Sequence, residues 1–372
     1  MRMVKPYRVV VTLYPLACAM LASGCTAESS SPKDDGTDSD RESETVSDTA
    51  MGDIDVSSTE TERPRSSDSA TDNVMNTDDT GDTGGSAVTD AGIVPTAPCA
   101  DYEDGVVVGT LFAAIEEASG MVSSRRQQDV LWLHEDANNT PSLFAIRPDG
   151  SLLGEWLIDV EQRIEDWEDI AIQPVANGPD VIWVGDIGDN EAREQDPAKP
   201  PRSFIQVMGI GEPTVDMNDI PNAKRIDTAE VFTLTYPDRP HDAEAMSIDP
   251  TTGDLYIFTK EQTAPATIFR AKSPIQSGEL EAVAAIDMTW IDGADFAMGG
   301  KELIIRNYFF ANYWERPGET AWIDVLQNAA TRVSLEREPM GESIAFTADA
   351  SGFYTVSEGE APPIYFYEKG CL

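Results

Sequence analysis

The stretch Glu168-Asp169-Ile170-Ala171-Ile172 is one of five copies of a short phrase in the second part of this 372-residue chain. Each copy has a small or acidic pair, an apolar residue, a small residue and a second apolar residue, and a strand-like run follows about ten to fifteen residues later. The copies contain Glu117, Glu168, Glu244, Asp295 and Glu342. Repetition of this kind predicts a fold built from repeated supersecondary units.

The intervals between the copies indicate what the repeated unit is. Each reads as four short strands rich in β-branched and aromatic residues, separated by turn signals. The last interval has only three strands, and residues 106–111 would supply the fourth, which is how β-propellers close. We therefore predict an all-β chain that folds as a five-bladed β-propeller closed by an N-terminal strand. The long interval between Glu168 and Glu244 leaves a sixth, degenerate blade open as the alternative.

Two cysteines lie at the ends of the repeat region, Cys99 and Cys371. A pair of cysteines in an exported protein favours a disulfide, and a closed ring brings its two ends together. We predict a propeller domain over residues 99–372 with a disulfide between Cys99 and Cys371. Two unpaired thiols are the alternative.

The first 25 residues are typical of an export signal. A basic start precedes the apolar run from Val9 to Ala22, which is shorter than the roughly 18 residues of a membrane-spanning helix. The segment Leu21-Ala22-Ser23-Gly24-Cys25 resembles the lipobox of bacterial lipoproteins, which implies cleavage before Cys25 and its acylation. Thr26 after the cysteine favours the outer membrane, on its periplasmic or its surface side. A plain secretory signal is the alternative.

Residues 26–98 have the composition of a disordered tether. They contain no Phe, Tyr or Trp, and they carry 18 acidic residues against four basic ones. Such a segment cannot bury enough apolar surface to offset its chain entropy.

The whole chain has a formal net charge of −41, which excludes the basic surface that nucleic-acid binding requires. We expect a monomer that is anchored to the membrane by the lipid on Cys25.

The repeats predict an acidic mouth at one end of the propeller. The first residue of each inner strand and the residues after each second strand converge there, and both sets are rich in carboxylates. Calcium suits such a site because it takes six to eight oxygen ligands, whereas zinc prefers histidine and cysteine. The candidate metal ligands are Glu117, Glu168, Asp186, Asp189, Asn190, Glu244 and Glu342. In the alternative interpretation, Lys260 and Arg306 neutralise these carboxylates as salt bridges.

The sequence contains no motif of a nucleophilic enzyme, so catalysis would be metal-assisted. The candidate acids and bases are His134, Asp136 and His241, since both histidines of the chain fall at the predicted mouth. The candidate contacts to an anionic substrate are Arg193, Lys260 and Arg306. Three tryptophans and a tyrosine, Trp132, Trp167, Trp183 and Tyr308, are predicted to be strand core rather than a sugar-binding platform.

Several phrases resemble a group of exported bacterial propellers. They are Leu131–Asp136, Asp166–Ala171, Gly185–Asn190, Asp242–Met246 and Tyr256–Lys260. The group is similar to the phytase-like, NHL-repeat and gluconolactonase (SMP-30-like) propellers, and the resemblance implies a calcium-type ion in the channel. Two functions follow as hypotheses. The mouth binds a small molecule, a glycan or a protein, or it hydrolyses small esters, lactones or phosphoesters with the help of the metal.

Overall fold

The computed structural model describes residues 101–136, 141–160, 164–194, 198–217, 223–226, 229–263 and 265–370. The predicted signal, the predicted tether, Cys25, Cys99 and Cys371 therefore lie outside the described residues. In the described part of the chain no helix is long and apolar enough to cross a membrane.

The described strands form five sheets that are the blades of a propeller, and all their pairings are antiparallel except those of two short strands. Strand β1 (Val106–Thr110) precedes the first blade. Blade I contains β2 (Ala118–Ser123), β3 (Leu131–Glu135), β4 (Ser142–Ile146) and β5 (Leu152–Ile158). Blade II contains β6 (Trp167–Gln173), β7 (Val181–Asp186), β8 (Ile205–Gly211) and β10 (Glu230–Thr235), with helix α1 (Asn190–Glu194) between β7 and β8 and strand β9 (Lys224–Ile226) between β8 and β10.

The other three blades follow the same order. Blade III contains β11 (Ala243–Ile248), β12 (Leu255–Thr259), β13 (Ala266–Ala271) and β15 (Glu281–Ile286), with the short strand β14 (Gly278–Glu279) before β15. Blade IV contains β16 (Ile291–Phe296), β17 (Glu302–Asn307), β18 (Phe310–Glu315) and β19 (Thr331–Ser334), with helix α2 (Trp322–Val325) before β19. Blade V contains β20 (Gly341–Phe346), β21 (Gly352–Ser357) and β22 (Pro363–Glu368).

Strand β1 completes blade V by pairing antiparallel with β22. The predicted five blades and the predicted closing strand are thus confirmed, and the described residues contain no sixth blade. The long interval in blade II is taken up by α1, β9 and loops. Strand β1 pairs Val106 with Phe366 and Thr110 with Pro363, so it runs towards the mouth from the opposite face.

The two described ends of the ring lie side by side. Tyr102 forms a β-bridge with Lys369, and the N–H of Gly370 donates to the carbonyl oxygen of Asp101 at 2.9 Å. The disulfide between Cys99 and Cys371 stays a prediction, which a count of free thiols in the denatured, unreduced protein will test.

The apolar core lies between the blades. The inner strands β2, β6, β11, β16 and β20 contact one another in this order around the axis, and β20 contacts β2. Five hydrophobic clusters fill the wedges, one between each pair of neighbouring blades. Trp132, for example, is fully buried between blades I and II, and Phe258 between blades III and IV. Because the apolar side chains fill these wedges, the ends of the inner strands lie outside the core and can carry polar groups.

Two short strands join neighbouring blades. Strand β9, which follows β8 of blade II, pairs parallel with β5 of blade I. Strand β14, which precedes β15 of blade III, pairs parallel with β10 of blade II. Blades I, II and III therefore share backbone hydrogen bonds besides the contacts between their apolar faces.

Candidate functional site

Every inner strand has a β-bulge directly after its first residue, at the mouth. The register with the second strand of the same blade shifts there in all five blades. A bulge leaves a residue unpaired and re-aims its side chain. The residues at this position are Ser119, Glu168, Glu244, Asp292 and Glu342. The repeat alignment drawn from sequence is therefore wrong in two blades. In blade I the residue equivalent to Glu168 is Ser119 and not Glu117, and in blade IV it is Asp292 and not Asp295.

Three carboxylates of blades I and II form the candidate cation site: Asp136, Asp166 and Glu168. One oxygen of each lies within 4.8 Å of the other two. Asp136 follows β3, Asp166 precedes β6, and Glu168 is the bulged residue of β6. Calcium–oxygen distances of about 2.3–2.6 Å allow one ion to contact oxygens at this separation. The sequence pointed to Glu168 as a ligand and to Asp136 as a catalytic group, and it missed Asp166, although Asp166 opens one of the quoted phrases.

The backbone of Gly188 closes one side of this triad. A Cβ at this position would lie 2.2 Å from Glu168 Oε1 and 2.5 Å from Asp166 Oδ2, closer than atoms can approach. The N–H of Gly188 donates to the carbonyl oxygen of Asp166 at 3.3 Å. A side chain at position 188 would therefore displace both carboxylates from their present positions.

Burial and neighbouring acids make the ionised forms of Asp166 and Glu168 unfavourable. Burial raises the pKa of Glu168 well above its usual value, and the charges of Glu244 and Asp136 add to this. Burial also raises the pKa of Asp166 to about 7. Among the described residues, no basic side chain forms an ion pair with Asp166 or Glu168, and Arg202 pairs with Asp186 at 3.0 Å. A bound cation would supply the missing positive charge.

The blade III side of the mouth is neutralised by the protein itself. Arg193 Nη1 lies 3.0 Å from Glu244 Oε1 and also pairs with Asp242. Lys260 Nζ pairs with Glu244 from the other side and donates to the Tyr308 hydroxyl at 2.8 Å. Glu244 therefore has two basic partners, and both Arg193 and Lys260 are held by carboxylates.

Blade IV has a buried ion pair in the corresponding place. Arg306 is fully buried, with Nε 3.3 Å from Asp292 Oδ1 and Nη1 2.9 Å from Glu338 Oε2. Its Nη1 also donates to the carbonyl oxygen of Ser343 at 3.0 Å. Arg306 thus links the inner strands of blades IV and V and lies out of contact with solvent.

In blade V, two carboxyl groups share the mouth. Burial and the neighbouring charges of Glu358 and Glu244 raise the pKa of Glu342 to about 9. The side chains of Glu342 and Glu358 are hydrogen-bonded to each other, which requires a proton on one of them. Glu117, the remaining predicted ligand of this region, is exposed just before β2.

The predicted ligands of the β7–α1 loop have partners within the protein. Asp186 pairs with Arg202, and Asp189 accepts a hydrogen bond from the N–H of Arg202 at 2.7 Å. The side-chain oxygen of Asn190 accepts a hydrogen bond from Arg193. These residues hold the loop in place, and only Gly188 of this loop closes on the triad.

Neither histidine joins the triad. His134 is fully buried, burial lowers its pKa to about 4, and its Nδ1 lies 3.0 Å from the carbonyl oxygen of Glu135. His241 lies between two other carboxylates, with Nε2 3.1 Å from Asp238 Oδ1 and Nδ1 3.3 Å from Glu261 Oε1. Their roles as acids or bases stay predictions.

Side chains cross the axis below the mouth. Asp169 Oδ2 of blade II accepts hydrogen bonds from the N–H groups of Met246 in blade III, at 2.8 Å, and Ala294 in blade IV, at 3.3 Å. Asp295 Oδ2 accepts one from the N–H of Phe346 in blade V at 2.8 Å. The channel is therefore spanned by polar contacts, and the candidate site belongs to the mouth.

A cavity of about 590 Å³ adjoins the triad. Asp166, Gly188 and Asp189 line it, together with the basic residues Lys199 and Arg202 of the segment that leads to β8. An anionic group in this cavity would lie near both the triad and the two basic side chains.

Comparison with known proteins finds distant matches among solved structures. No protein-family model matches the sequence, and no curated protein is similar to it. One similar solved structure is a nidogen/laminin complex, with 12% identity, coverage of 65% of this chain and 73% of the other, and a TM-score of 0.38. Another is a gluconolactonase from Xanthomonas campestris, with 11% identity, coverage of 73% and 98%, and a TM-score of 0.40. Similarity this low carries no inference about fold or activity.

Proposed function

We propose that this chain is a ligand-binding propeller whose mouth holds a divalent cation of the calcium type. Asp136, Asp166 and Glu168 would hold the ion, and the ligand would approach from the open side of the mouth. The single observation that carries the proposal is the difference between the two sides of the mouth. Arg193 and Lys260 neutralise the carboxylates of blade III, whereas the described residues place no ion pair on Asp166 or Glu168.

The chemistry of the donors favours a hard cation. All three side chains offer carboxylate oxygens, and His134 faces elsewhere. Calcium takes six to eight oxygen atoms, which can also come from backbone carbonyls and water. Three carboxylates therefore leave coordination positions on the ion for oxygen atoms of a molecule bound at the mouth. The cation would therefore connect the protein to an oxygen-bearing ligand.

Calcium titration of the full chain by isothermal calorimetry tests this proposal. We expect one strong site, with affinity lowered on the order of tenfold or more by Glu168→Gln and by Asp166→Asn. Asp242→Asn is the matched control, since Asp242 is a mouth carboxylate that already has a basic partner, and it should bind calcium as the wild type does. Equal losses in all three variants, or no binding by the wild type, would refute the assignment of the triad.

The cavity beside the triad favours a second function, a metal-dependent hydrolase of small esters, lactones or phosphoesters. A bound cation would supply Lewis acidity to the reacting oxygen. Lys199 and Arg202, which line the cavity, would bind an anionic substrate and orient it towards Asp166. The buried histidine His134 would take no part as a base.

A substrate screen separates these two functions. Hydrolysis of nitrophenyl esters and nitrophenyl phosphate by the full chain should require calcium, and Arg202→Met should raise KM for the phosphate. Calcium binding without any turnover would leave binding as the function. Turnover that persists in EDTA would contradict a role of the cation.

We also propose that the chain is exported and lipid-anchored to the bacterial outer membrane. The support is the sequence Leu21-Ala22-Ser23-Gly24-Cys25 and the polar composition of residues 26–98. In this arrangement the tether presents the propeller to a ligand away from the lipid surface.

A further inference from the structure

Aromatic and apolar side chains line the mouth beside blade IV, and we call this surface the blade IV rim. It consists of Trp290, which directly precedes β16, Tyr308 and Phe309 in the β17–β18 turn, and Met340, which directly precedes β20. Phe309 is 72% exposed and Met340 is 48% exposed. The sequence predicted Tyr308 to be core, and its ring instead belongs to this rim, half-exposed.

The rim already binds cations of the protein itself. The guanidinium carbon of Arg193 lies 5.8 Å from the centre of the Trp290 ring, and Lys260 Nζ lies 4.9 Å from the centre of the Tyr308 ring. Among the described residues no cation covers Phe309. The negative face of an aromatic ring attracts ammonium and guanidinium groups. The exposed ring of Phe309 can therefore bind a cation from outside the described residues.

The backbone presents Trp290 in an unusual conformation. Its φ is 54°, which is rare for a bulky residue, and its N–H donates to the carbonyl oxygen of Glu261 at 3.0 Å. Such outliers persist where the surrounding structure fixes them, and they occur preferentially at functional sites. In this conformation Trp290 lies at the mouth, with Arg193 over its indole ring.

The charge around the rim complements a basic partner. The carboxyl pair Glu342–Glu358 stands beside the rim, since the N–H of Glu358 donates to the carbonyl oxygen of Met340 at 2.9 Å and Glu342 is close enough to influence Tyr308 electrostatically. Within the described residues neither Glu342 nor Glu358 forms an ion pair with a basic side chain. Residues of three separate loops form the rim. A surface that spans three loops suits an extended peptide segment better than a single ion.

We propose that the blade IV rim docks a lysine- or arginine-bearing segment of a partner protein, with one basic side chain against the exposed ring of Phe309. The one negative charge that the Glu342–Glu358 pair retains would attract a further basic group of the segment. Electrostatic attraction of this kind speeds association and weakens as salt rises. The proposal is independent of the cation site in the triad.

The test is binding of a fluorescent hexa-arginine peptide to the full chain, in EDTA and at about physiological ionic strength. We expect Phe309→Ala to weaken binding about two- to fivefold and Phe309→Lys about tenfold. Met298→Ala and Met298→Lys are the matched controls. Met298 is 43% exposed in the β16–β17 turn of the same blade, at the face opposite the mouth.

Each result decides the proposal. Loss of binding in the Phe309 variants with little change in the Met298 variants supports docking at the rim. Unchanged binding in the Phe309 variants, or equal losses at the two positions, would show unspecific attraction to an acidic protein and would overturn it, as would the absence of binding to the wild type. Because EDTA is present throughout, a failure here leaves the calcium titration unaffected.

Discussion

Replacing Glu342 by Gln is expected to stabilise the protein, and by an amount that depends on pH. Burial and nearby carboxylates raise the pKa of Glu342 from 4.5 to about 9. Between these values the folded state holds a proton that the unfolded state releases, so this carboxyl makes the free energy of unfolding fall as pH rises from 4.5 to 9. At pH 7 the difference of about 2.5 pH units corresponds to about 3 kcal/mol. Gln is isosteric and keeps an N–H donor for Glu358.

The assay is urea unfolding of the wild type and Glu342→Gln, in EDTA, at pH 7 and at pH 4.5. We expect the variant to be more stable by about 3 kcal/mol at pH 7, or about 5–10 °C in Tm for a domain of this size, and close to the wild type at pH 4.5. A variant that is less stable at pH 7, or that differs equally at both pH values, would refute the reasoning. The variant should also keep its calcium affinity, because Glu342 lies outside the triad.

Three further changes test other parts of the structure. Gly188→Ala should lower calcium affinity on the order of 10–100-fold in a calorimetric titration, because its methyl group displaces two carboxylates, whereas Gly299→Ala, in open space, should have no effect. Arg306→Met should cost about 3–5 kcal/mol in urea unfolding, because it leaves buried carboxylates unpaired; a loss below about 1 kcal/mol would contradict the ion pairs. Cys25→Ser should move the protein from the membrane fraction to the soluble fraction of cells, and an unchanged distribution would count against the lipid anchor.

The sequence predicted the fold well because the repeat is a property of local pattern. The strand count, the five blades and the closing strand over Val106–Thr110 follow from apolar alternation and turn residues, which act over a few positions. The sequence could not place the β-bulges. Glu117 and Asp295 were aligned with Glu168 although Ser119, two residues later, and Asp292, three residues earlier, occupy the equivalent positions, because the small and apolar residues of so short a phrase fit at more than one offset.

The candidate site was harder to predict because charge compensation depends on distant contacts. Arg193 lies 51 residues from Glu244 and comes from an insertion of another blade, so no local pattern joins them. The sequence therefore left metal binding and salt bridging as alternatives for the whole mouth. The structure gives a different answer for each side, with salt bridges on Glu244 and a candidate metal site at Glu168.

The direction of strand β1 has a consequence for how the molecule meets its surroundings. The strand begins at the face opposite the mouth and ends beside it, so the polypeptide enters the ring from behind. Anything joined to the chain ahead of β1 would therefore act on the face opposite the mouth. A force applied there would be carried by the pairing of β1 with β22, the single ladder of hydrogen bonds that closes the ring.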